Sequence, residues 1–240
     1  QALADKEQNS GEGVIGLNTA GDLSIQSGAT LHASHSSSRN ANNVTDMKGS
    51  LQSDKGALTL KSSAIFFDDG THTDTGLHLT QNVWDRSITG FQDITLISNS
   101  GSSSGIQFWG KFTLSARNSL TLDTSRIANM SQSAADVSLA AHTINLKNSG
   151  NTSTQPPDKN KGAATLNATA NALNVGDGDV LFANFKSISL KSQGDLTLMG
   201  KGSLTTGNGD LNIKAARVTT ASAVGSTITN ADGTTTTPIT

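Results

Sequence analysis

Apolar residues recur in pairs at alternating positions between residues 180 and 218. The two members of a pair are two residues apart, so their side chains point to the same face of a β-strand. Gly, Asp, Asn, Ser and Lys separate one pair from the next. The pattern predicts a succession of short strands that each bury two side chains. The pairs are Val180 and Phe182, Ile188 and Leu190, Leu196 and Leu198, and Leu211 and Ile213.

The spacing of these strands predicts how they assemble. Their first apolar positions follow one another by 8, 8, 8, 7 and 7 residues, so that three strands take 22 to 24 residues. A strand this short is unstable alone, but stacked coils give every strand a partner above and below. We therefore predict an all-β fold, a right-handed parallel β-helix (β-solenoid) with about three short strands per coil. An antiparallel β-sandwich, which also has short strands at regular spacing, is the structural alternative.

The same style of sequence covers most of the chain. Gly-Asp pairs at residues 21–22, 194–195 and 209–210 suit the tight corners between strands, because glycine and aspartate favour turns. Residues 131–141 are rich in alanine and are compatible with a short helix, but the Val, Thr and Ile around them favour a strand. We expect residues 1–240 to form a single solenoid segment. Because the chain begins at Gln1 without a methionine, we expect it to be an internal piece of a longer protein.

Two segments depart from the strand pattern. Residues 150–162 hold Pro156 and Pro157 and no apolar periodicity, which predicts a loop outside the helix. Residues 219–240 have few apolar positions, which predicts either a thin last coil or a linker.

The composition narrows the possible functions. Apolar residues make up 34% of the chain and charged residues 15%, while about a third are Ser, Thr or Asn, which suits a narrow core better than a large compact one. The formal net charge is −2 and there is no basic block, so nucleic acid is not an expected partner. There is no cysteine, which excludes disulfides and cysteine chemistry, and no apolar run of membrane-spanning length.

Aromatic residues concentrate between residues 64 and 112, which hold both tryptophans and five of the seven phenylalanines. A ladder of aromatics in a thicker part of the core is one interpretation, and a recognition surface is the other. Under the second interpretation, the tryptophans would provide broad amphipathic faces for a ligand, and nearby polar side chains would add hydrogen bonds and charge. The candidate ligand-binding residues are Trp84, Trp109, His72, His78 and Arg86.

Several short motifs match known sites only by spacing. Gly11, Gly13 and Gly16 give G-x-G-x-x-G without the strand and helix that a dinucleotide site requires. Residues 101–105 give G-x-S-x-G without the downstream acid that a hydrolase triad requires. The cluster Asp68, Asp69, His72, Asp74 and His78 matches neither calcium nor zinc spacing, and residues 176–179 hold only one copy of a glycine-aspartate motif. We predict no cofactor, no metal and no catalytic residues.

The enzymatic alternative is a polysaccharide lyase or hydrolase on a β-helix scaffold. Asp123 and Arg126 are the carboxylate and guanidinium neighbours on a credible strand, with no second aspartate two residues away. A second carboxylate from an adjacent coil would complete such a site, and the sequence leaves this possibility open.

The corner sequences GDLSI, GDLTL and GDLNIKA resemble the haemagglutinin-repeat exoproteins of Gram-negative bacteria, which are secreted by the two-partner route, and are similar to autotransporter passengers. Filamentous haemagglutinin is a member of this group. The resemblance implies a secreted or outer-membrane-associated segment of a surface adhesin or stalk that contributes to virulence. It implies as partners a glycan or protein on a host or neighbouring cell, with possible self-association, and it supplies no catalytic residues.

Overall fold

A computed structural model describes most of the 240 residues. Backbone and side chains are described for residues 56–99, 105–131, 133–152 and 162–221. Strand backbone alone is described for residues 14–19, 23–25, 30–32, 36–41, 45–47, 50–52, 226–229 and 235–236. The predicted loop at 150–162 and the predicted last coil at 219–240 lie largely outside the described residues.

The larger of two extended sheets contains twelve of the described strands, here numbered in chain order. Its strands are β1 (Val14–Thr19), β4 (Ser36–Ala41), β7 (Ala57–Ser62), β10 (Asp93–Ser98), β12 (Phe112–Ser115), β13 (Ser119–Thr124), β15 (Val137–Lys147), β16 (Ala164–Gly176), β18 (Phe185–Ser192), β19 (Asp195–Met199), β21 (Asp210–Lys214) and β22 (Arg217–Thr220).

The second sheet contains ten described strands. They are β2 (Leu23–Ile25), β5 (Thr45–Met47), β8 (Ala64–Phe67), β9 (Leu77–Leu79), β11 (Gly105–Phe108), β14 (Arg126–Asn129), β17 (Val180–Ala183), β20 (Gly202–Thr205), β23 (Ser226–Thr229) and β24 (Thr235–Thr236). The strands β3 (Thr30–His32) and β6 (Ser50–Gln52) form a separate pair.

The chain returns repeatedly to each of the two large sheets, and almost all pairing is parallel. Only β23 and β24, of the strand pairs described, run antiparallel. This excludes the antiparallel sandwich for the described part of the chain. Residues paired in register lie 22 positions apart for Thr165 and Ser187, as the period predicts, but 29 apart for Val137 and Leu166. The protein is therefore all-β with parallel sheets, and its repeat length varies.

Parallel register places like residues above one another in the core. Leu60, Leu96, Leu122, Leu146, Val175 and Leu198 occupy successive positions of one row and are all buried. Several strands of the larger sheet alternate buried and more exposed positions, since successive side chains point to opposite faces, whereas β8, β9, β11 and β17 of the second sheet are buried at every position. β10, for example, buries Ile94 and Leu96 and leaves Thr95 and Ile97 partly exposed. The predicted pairs in β17, β18 and β19 are buried as expected.

The structure differs from the predictions near the carboxyl end of the chain and at one helical segment. Leu211 and Ile213 are only half-buried, and Val218 is 43% exposed, because few described strands stack beyond them. A helical segment, α1 (Gln81–Val83) continued by a π-helical turn over Trp84–Ile88, was not expected. The alanine-rich stretch before Val137 leads into strand β15, as the strand interpretation predicted.

Candidate functional site

The segment between β8 and β9, residues 68–76, carries His72 and the three aspartates of the Asp/His cluster. Two aspartates stabilise its turn. Asp68 accepts a hydrogen bond from the Gly70 amide at 2.7 Å, and Asp69 accepts from the Thr71 amide and hydroxyl at 3.0 and 2.6 Å. The Thr71 hydroxyl is the main reason that the pKa of Asp69 is lowered. We call this segment the β8–β9 loop.

His78 ties the two ends of the β8–β9 loop together. Its Nδ1 lies 2.6 Å from Asp68 Oδ2, and its Nε2 lies 2.7 Å from the backbone carbonyl of Asp74. Both partners accept hydrogen bonds, so both ring nitrogens donate when the imidazole is protonated. Burial lowers the pKa of His78, but the bonds to Asp68 and Asp74 raise it by more, and the net pKa is raised. His78 is 7% exposed and therefore acts inside the protein, not as a ligand contact.

Packing fixes the loop as firmly as the hydrogen bonds do. The ring of His78 stacks on Phe66, with centroids 4.8 Å apart. Gly76 has a φ of +155°, and a Cβ there would lie 2.6 Å from both the Ala64 carbonyl and the Phe66 ring. Only glycine allows the chain to pass this close to β8.

His72 and Trp109 form an aromatic pair at the surface of this region. The His72 ring meets Trp109 edge to face, with centroids 3.9 Å apart and planes at 73°. The Trp109 amide donates to the Phe67 carbonyl at 2.8 Å, which seats the residue directly beyond β11. Both side chains are partly exposed. The Trp109 indole nitrogen is buried and has no hydrogen-bond partner within the described structure, so the pair offers a ligand its exposed ring surface and not this N–H group.

The structure separates the other two candidates from this pair. Trp84 is fully buried and packs against Phe67 at 5.7 Å, so it lacks the exposed face that the ligand interpretation required. Arg86 is exposed on the helical segment, where its Nε lies 3.4 Å from the Asn82 carbonyl. Five phenylalanines of the window are also buried, as the core interpretation predicted: Phe66, Phe67, Phe91, Phe108 and Phe112.

Asp123, the candidate catalytic residue of the enzymatic alternative, is buried and bound to neighbouring side chains. It is 3% exposed and accepts hydrogen bonds from the Ser149 amide at 2.8 Å and the Ser149 hydroxyl at 2.5 Å. Lys147 Nζ lies 3.7 Å from the same carboxylate. A buried carboxylate engaged in this way cannot act on a polymer in solvent without giving up these bonds. Arg126 is partly exposed at the start of β14.

Other sequence motifs lie in settings that do not suit their chemistry. Gly16 lies within strand β1, where a dinucleotide site would require a turn into a helix. Residues 101–104 of the G-x-S-x-G match lie outside the described residues. Among described side chains, no three His, Asp or Glu residues converge into a group that could hold a metal ion. Within the same ranges, no helix has the length and apolar character needed to cross a membrane.

Comparison of the chain with protein-family models, curated proteins and solved structures found no match in any of the three. No comparison therefore identifies a haemagglutinin repeat or an autotransporter passenger. The resemblance of the GDL corners to that group stays a prediction.

Proposed function

We propose that the chain is a right-handed parallel β-helix that serves as an adhesin or stalk segment on a bacterial surface. The repeated return of the chain to two sheets of parallel strands supports this fold, because connections between parallel strands of one sheet are right-handed in about 98% of cases. The pairs in β17, β18 and β19 support about three short strands per coil. In this proposal, the fold supplies length and rigidity rather than a catalytic cleft.

The observation that carries the function is the His72–Trp109 pair. The outward positions of the strands are mostly Ser, Thr, Asn and Lys, which offer little binding energy per contact, whereas this pair presents partly exposed aromatic surface beside the β8–β9 loop. Flat aromatic faces suit sugar rings as well as protein side chains. The proposed partner is therefore a glycan or protein on a host or neighbouring cell.

The remaining parts of the proposal follow from the same reasoning. The chain has no catalytic role, is secreted or held at the outer membrane, and uses no cofactor or metal. Self-association of the rod is compatible with it. Arg86, exposed on the neighbouring helical segment, is a peripheral contact.

Binding to cells or to a glycan panel tests the proposal. We expect His72→Ala and Trp109→Ala to weaken binding about tenfold or more, since central aromatic contacts are often worth at least about 2 kcal/mol. Thr73→Ala is the matched control, because Thr73 is an exposed neighbour of His72 in the same loop. Trp84→Ala should instead unfold the region, since a buried tryptophan costs about 3–5 kcal/mol to truncate.

Two results would overturn the proposal. The first is wild-type binding by both His72→Ala and Trp109→Ala in protein whose melting temperature is unchanged. The second is the appearance of new reducing ends or unsaturated products from a polysaccharide panel, if the activity disappears in Asp123→Asn. That outcome would favour the carbohydrate-cleaving alternative.

A further inference from the structure

A groove runs across four neighbouring strand segments on the first sheet, away from the β8–β9 loop. Ser115, Ala140, Thr169 and Lys191 stand in register on β12, β15, β16 and β18. One residue further along lie Ala116, Ala141, Ala170 and Ser192, and two residues further lie Arg117, His142, Asn171 and Gln193. We call this last set the polar row. Since adjacent strands are about 4.8 Å apart, the row extends over about 14 Å.

Small residues make the groove floor. Ala140 is exposed and Ala141 partly buried, so these two alanines give the groove its shallow apolar surface, while Ala116 and Ala170, 8% and 3% exposed, belong to the core beneath it. The groove has a volume of about 410 Å³. The backbone beneath it is already paired: the Ala116 amide donates to the Ala140 carbonyl, and the Gln193 amide donates to the Ala170 carbonyl, both at 2.9 Å.

The side chains of the polar row are exposed and unused. Within the described structure, Arg117, His142, Asn171 and Gln193 make no side-chain hydrogen bond or ion pair. Nearby polar side chains differ in this respect. Asn118, the next residue after Arg117, donates to Asp93 at 2.7 Å. The row therefore offers a line of free donors and acceptors at strand spacing.

The charge of the groove is positive. No Asp or Glu occurs among the described residues that line it, whereas Arg117 does. Two carboxylates close to the groove are already engaged: Asp93 binds Asn118 and Ser119, which follow Arg117, and Asp195, two residues after Gln193, pairs with Arg217 at 2.8 Å. A groove with one guanidinium and no free carboxylate favours an anionic ligand even though the whole chain is slightly acidic.

We propose that this groove binds a short stretch of an acidic polysaccharide. Arg117 pairs with a uronate carboxylate, for which its planar guanidinium is suited, while the amides of Asn171 and Gln193 bind ring hydroxyls. The alanine floor accepts the apolar face of the sugar rings. The repeat of the polar row along the strand stack matches a ligand that is itself a repeating chain.

An acidic peptide fits the groove less well. Extended peptides bind by adding a strand to a free sheet edge or by inserting side chains into apolar pockets. Here the backbone is paired across the groove, and the alanine floor is too shallow to provide such pockets. Sugar hydroxyls, in contrast, need surface amides of the kind that the row presents.

Titration of the 240-residue protein with an oligogalacturonate, and with its methyl ester as the uncharged counterpart, tests the proposal by calorimetry. We expect the acid to bind and the ester to bind at least about tenfold more weakly, since a charge-assisted hydrogen bond is lost. Arg117→Gln should weaken binding of the acid to a similar extent. Ala140→Glu, which adds a carboxylate at an exposed groove position, should abolish it.

Lys201→Gln is the control, because it removes one exposed positive charge beyond the opposite end of β19. It should bind the acid as the wild type does. The proposal is overturned if the oligogalacturonate does not bind, if the ester binds equally well, or if Arg117→Gln and Lys201→Gln behave alike. If polyglutamate of equal charge binds more tightly than the oligogalacturonate, the proposal is also overturned, and the ligand of the groove is an acidic protein segment. None of these variants touches His72 or Trp109, so failure here leaves the proposed adhesive site untouched.

Discussion

Replacing Leu198 by aspartate tests the stacked core most directly. Leu198 is 1% exposed and stands in register with Val175 on β16. Loss of a buried leucine side chain costs about 2–5 kcal/mol, and an unpaired buried carboxylate adds a penalty of several kcal/mol. We therefore expect Leu198→Asp to lose at least about 5 kcal/mol, a large part of the roughly 5–15 kcal/mol that stabilises a typical domain.

Urea unfolding followed by far-ultraviolet circular dichroism measures this loss, with Met199→Asp as the matched control. Met199 is the next residue on β19, but it points to the opposite face and is 40% exposed. The same charge there should cost no more than about 0.5 kcal/mol. Lowering the pH should partly restore Leu198→Asp, because protonation removes its buried charge. Equal midpoints for the two variants would refute the assigned register of β19, as would a helical spectrum.

Two further predictions concern the β8–β9 loop and the strand corners. Because the folded-state pKa of His78 lies above its ordinary value near 6.5, the stability from its bonds to Asp68 and Asp74 is fully present below about pH 6.5. It is lost as the pH rises through the folded-state pKa; a thermal-melt series should show this, and His78→Gln should remove the dependence. Gly176 has a φ of +129°, and a Cβ there would clash with the Met199 carbonyl oxygen of β19. Gly176→Ala should therefore lower the melting temperature by far more than Gly110→Ala, where the nearest atom is 3.6 Å away, and equal melting temperatures would contradict this.

The sequence predicts those features of the fold that depend on local alternation. Leu196 and Leu198 are two residues apart, so the sequence alone predicts that they lie on one face of a strand, and both are buried. The half-burial of Leu211 is not predictable in this way, because it depends on how much structure stacks beyond its strand. The helical segment at Trp84 was missed because it is short and has no repeated apolar face; the Thr80 hydroxyl that caps it, 3.2 Å from the Val83 amide, is a weak signal in a threonine-rich chain.

The candidate sites show the same division. The sequence indicated the aromatic window, but it did not show that Trp84 is buried. Nor could it show the contact between His72 and Trp109, because these residues are 37 positions apart in the chain. The polar row was missed for a related reason. Arg117 and His142 are ordinary surface residues in the chain, and only the register of β12 with β15 brings them into one line.

The pairing of β15 with β16 has a consequence for how such a chain can vary. These strands remain in register from Val137–Leu166 to Leu146–Val175, although their offset of 29 residues exceeds the 22 to 23 found further along. Extra length between the two strands therefore does not change which of their side chains meet. Asp123 on β13 accepts hydrogen bonds from Ser149, and so holds the chain just after β15 against the neighbouring strand. Peptides of different lengths inserted between β15 and β16 should therefore leave the register of these strands unchanged, which would make the chain a display scaffold.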